Sequence, residues 1–140
     1  FIIMEGSGAT LPPVMTGGNI VIAGAGQPVE NIIRFFGEYR IAISELAIVT
    51  MCEKPVAAPE KVEEIRRGIM EINPDIALAL TVFRPEPLGN VKGRKVFVAT
   101  TADRRVNQTI SGYLEANYSC QVTGISNNLS NRKALEKDLE

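Results

Sequence analysis

The sequence predicts an α/β fold: a three-layer arrangement with a mostly parallel sheet and helices on both of its faces. Three observations predict it. Short apolar runs alternate with helix-length amphipathic stretches. One of those runs, Ile76–Phe83, is apolar almost without a break, as expected of a strand covered on both faces. Gly/Pro clusters such as Gly24-Ala25-Gly26-Gln27-Pro28 and Asn73-Pro74 fall between the runs rather than inside them.

The elements follow in order. Phe1–Met4 reads as a strand and is followed by a Pro/Gly loop through Gly18. The run Asn19–Ala23 is the next strand. Pro28 suits the first position of a helix whose inward face carries Val29, Ile32, Ile33 and Phe36, with Gly37 as its stop. Leu46–Met51 reads as a buried strand, led in by the apolar Ile41–Ile43. Pro59 opens a second helix, with Glu60, Glu63 and Glu64 set against its positive end and Val62, Ile65, Ile69 and Ile72 as its inward stripe. After Ile76–Phe83 and the loop Arg84–Gly93 comes the strand Lys95–Thr100. Thr101 or Asp103 then caps a helix that buries Val106, Ile110, Tyr113 and Leu114. Gln121–Ile125 is a last strand, Ser126–Ser130 a polar turn, and Asn131–Glu140 a largely solvated helix.

Composition narrows the function classes. The length of 140 residues reads as a single α/β domain over 1–140, an interior or carboxyl-terminal piece of a longer protein. A net charge of -1, with Lys and Arg not gathered into a stripe, argues against nucleic acid as a partner. No apolar stretch approaches the span of about 20 residues that a membrane helix needs, so no membrane partner is expected. The chain has no histidine, which removes a Ser-His-Asp triad and histidine metal sites within it. Cys52 and Cys120 lie far apart and suit a reducing cytoplasm, the expected location. Cys52 fits a structural or pocket-wall role better than that of a nucleophile.

The most informative string is Glu5-Gly6-Ser7-Gly8-Ala9-Thr10, directly after the run Phe1–Met4. A carboxylate there can hold Mg²⁺, directly or through water, while glycines let the backbone approach phosphate. A solvated strand-end carboxylate beside a turn accounts for the same residues. If the strands are parallel, their carboxyl ends share one edge. Glu5 to Thr10, Gly24 to Gln27, Thr50 to Glu53, Arg84, Thr100-Thr101 and Ser126 to Asn128 then face one crevice suited to a phosphorylated ligand with a divalent cation. Turn composition alone would produce much of that inventory. The phosphate cradle G-x-x-x-x-G-K-[ST] does not occur in these residues, and Gly24-Ala25-Gly26 lacks the third glycine of a dinucleotide fingerprint.

Several strings together resemble the cyclic 2,3-diphosphoglycerate synthetases of methane-producing archaea. They are Met4–Val14, Phe36–Arg40, Ile48–Glu53, Phe83–Gly89, Phe97–Ala102 and Ser126–Arg132, so the resemblance runs through essentially the whole chain. It implies a P-loop NTPase-like portion of the dethiobiotin-synthetase class, here without the P-loop segment. It implies an ATP-dependent enzyme that closes 2,3-bisphosphoglycerate into a cyclic diphosphate, with Mg²⁺ required, K⁺ as activator and the product serving as a heat-protecting solute. By the same resemblance Glu5 is the metal-holding residue. Gly6, Ser7, Gly8 and Thr10 belong to the phosphate and metal loop. Thr50 and Glu53 stand where relatives carry a base-reading motif, with Met51 in place of its lysine and Glu53 in place of its aspartate. Arg84 is the candidate to grip a phosphate bidentately, with an exposed loop arginine as the competing description. Arg40 and Arg132 are weaker candidates. A homodimer stays open, and a regulatory or chaperone-type NTPase module of the same superclass is the second functional reading.

Overall fold

A computed structural model describes residues 2–6 and 13–139. The chain divides into two compact units, Phe1–Val82 and Phe83–Glu140. The sequence reading counts one domain and one sheet; the chain instead forms two units, each with its own parallel sheet. Pro85 and Pro87 lie just past the boundary, where residues without an amide hydrogen cannot extend a ladder.

The first unit contains β1 (Ile20–Gly24), α1 (Val29–Ile33), α2 (Phe36–Ala42), β2 (Leu46–Thr50), α3 (Pro59–Ile72) and β3 (Ala77–Leu80). Its sheet has the order β1-β2-β3, all parallel, with Val21 beside Ala47, Ala23 beside Val49 and Ala47 beside Leu78. α3 forms as its sequence dictates. Pro59 stands at the first helical position, Glu60 meets the positive end, and the apolar stripe turns inward. Ile65 and Ile69 are fully buried in one core with Ala47 and Val49 of β2, and Val62 and Ile72 pack against that core. Asn73 ends the helix and ties it to its neighbour, its amide donating to the carbonyls of Ile41 (3.3 Å) and Ser44 (3.1 Å).

Three local expectations are corrected. The helix expected from Pro28 to Gly37 is two helices, broken at Arg34 and Phe35, where Arg34 is extended and Phe35 has φ of 52°. Gly37 is no stop: it is buried inside α2, where a Cβ would run into the Ile32 carbonyl of α1. The glycine is there because the first turn of α2 presses onto the last turn of α1. The apolar Ile41–Ile43 stretch is helical through Ala42 rather than a lead-in to β2, and Ile41 joins the core. Within Phe1–Met4, Phe1 lies outside the described residues. Ile2 to Met4 form no strand and are exposed, Ile2 and Ile3 at 88% and 82%. A strand requires a partner for its amides and carbonyls, and among the described residues none pairs with this run.

The second unit contains β4 (Lys95–Ala99), a 3-10 turn at Arg104–Val106, α4 (Asn107–Tyr118), β5 (Gln121–Ser126) and α5 (Arg132–Asp138). β4 and β5 pair in parallel, with an irregularity between Val96 and Phe97 that carries the register from Val122 to Gly124. Asp103 caps the 3-10 turn, accepting from the Arg105 amide at 2.8 Å, and Asn131 caps α5 through the Ala134 amide at 3.3 Å. Leu114 of α4 and Cys120 at the start of β5 are buried.

Ile65→Ala is expected to destabilise the first unit by about 2–5 kcal/mol, read as a lower urea midpoint. Gly37→Ala is expected to lower the same midpoint although it adds a methyl group, because the opposing atom is a backbone carbonyl that cannot retreat.

Candidate functional site

The carboxyl ends of β1, β2 and β3 are aligned by backbone hydrogen bonds that continue past the strands. The Ala25 amide donates to the Thr50 carbonyl (2.9 Å), the Cys52 amide to the Thr81 carbonyl (3.0 Å) and the Thr81 amide to the Val49 carbonyl (2.8 Å). This brings the tips at Gly24–Gln27 and Thr50–Glu53 together. A Cβ on Gly24 would lie 3.0 Å from the Met51 methyl, 3.8 Å from Gln27 Nε2 and 3.9 Å from Thr50 Oγ1. Gly24, Gln27, Thr50 and Met51 therefore form one rim. Met51 reaches it through a left-handed backbone, φ 59°, which turns the chain sharply at the end of β2.

The predicted site residues are placed as follows. Thr50 is half-buried on the rim, its hydroxyl donating to the Ala23 carbonyl at 3.4 Å. Glu53 is half-buried one turn further on, its carbonyl accepting from the Val56 and Ala57 amides at 3.0 and 2.9 Å. Cys52 donates its thiol to the Val49 carbonyl at 3.2 Å, consistent with a structural cysteine. Glu5 and Gly6 are exposed in an irregular stretch of the first unit. Ser7, Gly8 and Thr10 lie outside the described residues. Arg84 belongs to the second unit, so the expected rim shared by Glu5 and Arg84 concerns residues of different units. The Arg84 guanidinium lies over the Tyr113 ring, 5.3 Å from its centroid, and Nη1 donates to the Phe83 carbonyl at 2.9 Å. Tyr113 is in turn met edge-on by Tyr118, 6.2 Å between ring centres.

The other two predicted strand tips, Thr100-Thr101 and Ser126 to Asn128, are joined within the second unit by internal hydrogen bonds. Ser126 is buried and donates to Asp138 Oδ2 at 2.6 Å, and the Asn128 amide donates to the same oxygen at 2.9 Å. Asn127 and Asn107 exchange amide hydrogen bonds at 2.9 and 3.0 Å, while Thr100 Oγ1 accepts from the Ala102 amide at 3.0 Å. The Ser126 hydroxyl, then the Asn128 amide, hold the Asp138 carboxyl below its usual range, with Arg104 adding to the effect. These residues fasten α5 to the end of β5.

Sequence reasoning places Met51 on the Thr50–Glu53 tip, in place of a lysine, but misses its left-handed backbone, and it misses Asp138. Nothing in the run Leu46–Met51 signals a left-handed residue at its end. Asp138 sits in a stretch whose composition reads only as solvated helix.

The donor chemistry bears on a cation. Among the described residues no group of three or more Asp, Glu, Cys or His could hold a metal on its own. Mg²⁺ is commonly bound through one or two carboxylates, with water and ligand phosphates completing its shell, and a single exposed carboxylate such as Glu5 fits that demand.

The comparisons with known proteins divide the chain in the same way as its fold. Residues 1–82 match the family described as cyclic 2,3-diphosphoglycerate synthetase, P-loop domain, and residues 87–140 match its C-terminal domain. The chain belongs to the cyclic 2,3-diphosphoglycerate synthetase family. Synthetases of that name from Methanothermus fervidus and Methanothermobacter thermautotrophicus are each 51% identical over 140 residues, all of this chain and 30% of theirs. The synthetase from Rubrobacter xylanophilus is 43% identical over 138 residues, 99% of this chain and 31% of its own. The chain thus spans about 30% of the length of these synthetases. Its first unit, with the Gly24–Thr50 rim, is the part that matches the synthetase P-loop domain.

A depressed native pKa means that the folded protein favours ionised Asp138 more than the unfolded chain does. Its contribution is full above the unfolded value near 3.8 and is lost as pH falls through the lower native value. Acid titration followed by hydrogen exchange of α5 is expected to show loosening below about pH 4. Asp138→Asn should flatten that dependence.

Proposed function

We propose that this chain is part of a longer ATP-dependent synthetase that forms the intramolecular phosphoanhydride of cyclic 2,3-diphosphoglycerate from 2,3-bisphosphoglycerate. What carries the reading is the agreement of both units with the two family models, at 51% identity to named synthetases across all 140 residues. On this reading residues 1–82 complete a three-layer nucleotide domain whose phosphate-gripping loop comes from polypeptide outside these 140 residues, and the enzyme acts in the cytoplasm.

The chemistry to be performed joins two phosphates of one molecule. One phosphate accepts the γ-phosphoryl group of ATP, releasing ADP. An oxygen of the neighbouring phosphate then attacks the activated phosphorus, and inorganic phosphate leaves with the bridging oxygen's electron pair. Both reacting groups are anionic, so charge neutralisation and alignment dominate the barrier. Bound Mg²⁺, assisted by K⁺, supplies part of that neutralisation. Glu5 is the carboxylate assigned to hold Mg²⁺, and Gly6, Ser7, Gly8 and Thr10 form the adjoining backbone and hydroxyl donors. Thr50 and Glu53 border the base side, where Met51 covers Gly24 with an apolar methyl rather than a lysine. Arg84 grips a phosphate of the substrate, its planar fork pre-positioned by the Tyr113 ring.

The test is direct. Full-length protein given ATP, Mg²⁺ and 2,3-bisphosphoglycerate should yield the cyclic diphosphate by phosphorus NMR, and the 140-residue chain alone should give little turnover. Glu5→Gln is expected to lower kcat on the order of 10²-fold and blunt the Mg²⁺ dependence. Unchanged turnover and Mg²⁺ dependence would remove the metal role. Arg84→Lys should lose activity while folding normally, because an ammonium cannot reproduce the bidentate fork.

A further inference from the structure

The turn Gly24–Gln27 is held in place by the chain that follows β2. The buried Ala25 donates its amide to the Thr50 carbonyl, and a Cβ on Gly26 would lie 3.0 Å from Val56 Cγ1. The backbone amide of Gln27 closes the turn on the Gly24 carbonyl at 3.1 Å. Pro28 then leads into α1 with no side chain capping the helix. The Gln27 side chain thus serves neither the turn nor the helix, and its amide makes no hydrogen bond among the described residues. It reaches the rim instead. The Cβ position of Gly24 is bordered there by the Met51 methyl, Gln27 Nε2 and Thr50 Oγ1, at 3.0, 3.8 and 3.9 Å.

These four residues carry no charge, and their chemistry selects a ligand group. Gly24 offers bare backbone, Met51 a thioether methyl, and the Thr50 hydroxyl already donates to the Ala23 carbonyl. Gln27 adds an amide that both donates and accepts. A phosphate finds no cation among the four and meets the acceptor oxygen of the amide. A flat heterocycle suits them better: its face can lie on glycine and methyl while its edge pairs with the amide. In a nucleoside triphosphate that group is the base. We infer that Gln27 reads the nucleobase, its amide oxygen accepting from the 6-amino group of adenine and its N–H donating to an adjacent ring nitrogen. The inference rests on the reading of the chain as part of an ATP-dependent synthetase, and it adds a residue from the β1 tip to Thr50 and Glu53 on the base side.

The experiment measures equilibrium binding of ATP and of GTP to the full-length protein by calorimetry. Gln27→Glu keeps the side-chain length but offers acceptors only. Guanine has N–H groups at ring position 1 and on its 2-amino group for a carboxylate to accept, whereas the adenine ring nitrogen would face it lone pair to lone pair. The ratio of ATP to GTP affinity should therefore fall on the order of tenfold or more. Gln27→Ala removes the contact without adding charge, and it carries the test if the glutamate variant does not fold. It should weaken ATP binding by about tenfold and GTP binding by less. A turn that merely needs this residue for its shape would lose both nucleotides equally, so an unchanged ratio in the variants overturns the proposal. Wild-type protein that binds neither nucleotide overturns it together with the synthetase reading. Cyclic diphosphate formed by the wild type, with the ratio unchanged in the variants, would sink the base contact and leave the synthetase reading standing. A shifted ratio in a protein that forms no cyclic product would do the reverse.

Discussion

The shared core that buries Ile65 and Ile69 of α3 with Ala47 and Val49 of β2 is the constraint on which the first unit depends. β2 is its central strand, paired on both sides, and its two inward residues are the meeting point of sheet and helices. Ala47 is small enough for a helix to approach closely, and Val49 fills the space toward the carboxyl end. Once α3 is seated there, the registers of β1 and β3 against β2 follow, because a shift of one residue would turn Val21, Ala23 and Leu78 away from the core. The same registers bring Gly24 next to Thr50. The rim is thus a consequence of core packing rather than a separately built feature, and damage to the core should reach the rim through register.

The sequence made most elements legible where periodicity and end signals agreed. α3 has Pro59 at its start, an apolar stripe and Asn73-Pro74 at its end, and it occupies Pro59–Ile72 as those signals require. β2, β4 and β5 end within one residue of their expected limits for the same reason. The failures have physical causes. Gly37 after an amphipathic stretch has the appearance of a helix stop, but a glycine demanded by close helix contact carries the same letter. The break at Phe35 has no sequence signal, since nothing in the local composition calls for a positive φ at an exposed phenylalanine. Phe1–Met4 has strand composition, and composition cannot reveal whether a partner strand is present.

The candidate site was legible in its chemistry and less so in its construction. The Glu5 string, Thr50 and Glu53 were picked out by residue type and by resemblance. Met51 stands out there only as a replaced lysine, because its contribution lies in backbone conformation and in the methyl group it places on Gly24. The polar tips of the second unit show the opposite error. Ser126, Asn127, Asn128 and Thr100 have the composition of a ligand-binding edge, yet their side chains are engaged with Asp138, Asn107 and nearby backbone. Accounting for hydrogen bonds separates these cases, as a count of hydroxyls and amides cannot.

Arg84 tests how far such accounting should be pushed. Its stack on Tyr113, itself braced by Tyr118, could be taken to mean that the guanidinium is already occupied. The ring engages the flat side of the guanidinium, while Nη1 donates in the plane to the Phe83 carbonyl at 2.9 Å. Such a group also has less conformational freedom to lose when it meets an anion. The stack therefore favours the proposed phosphate contact, whereas the fastening of Asp138 by Ser126 and Asn128 explains that carboxylate without any ligand. One unit thus contains both a polar cluster and an arginine that the fold holds in place.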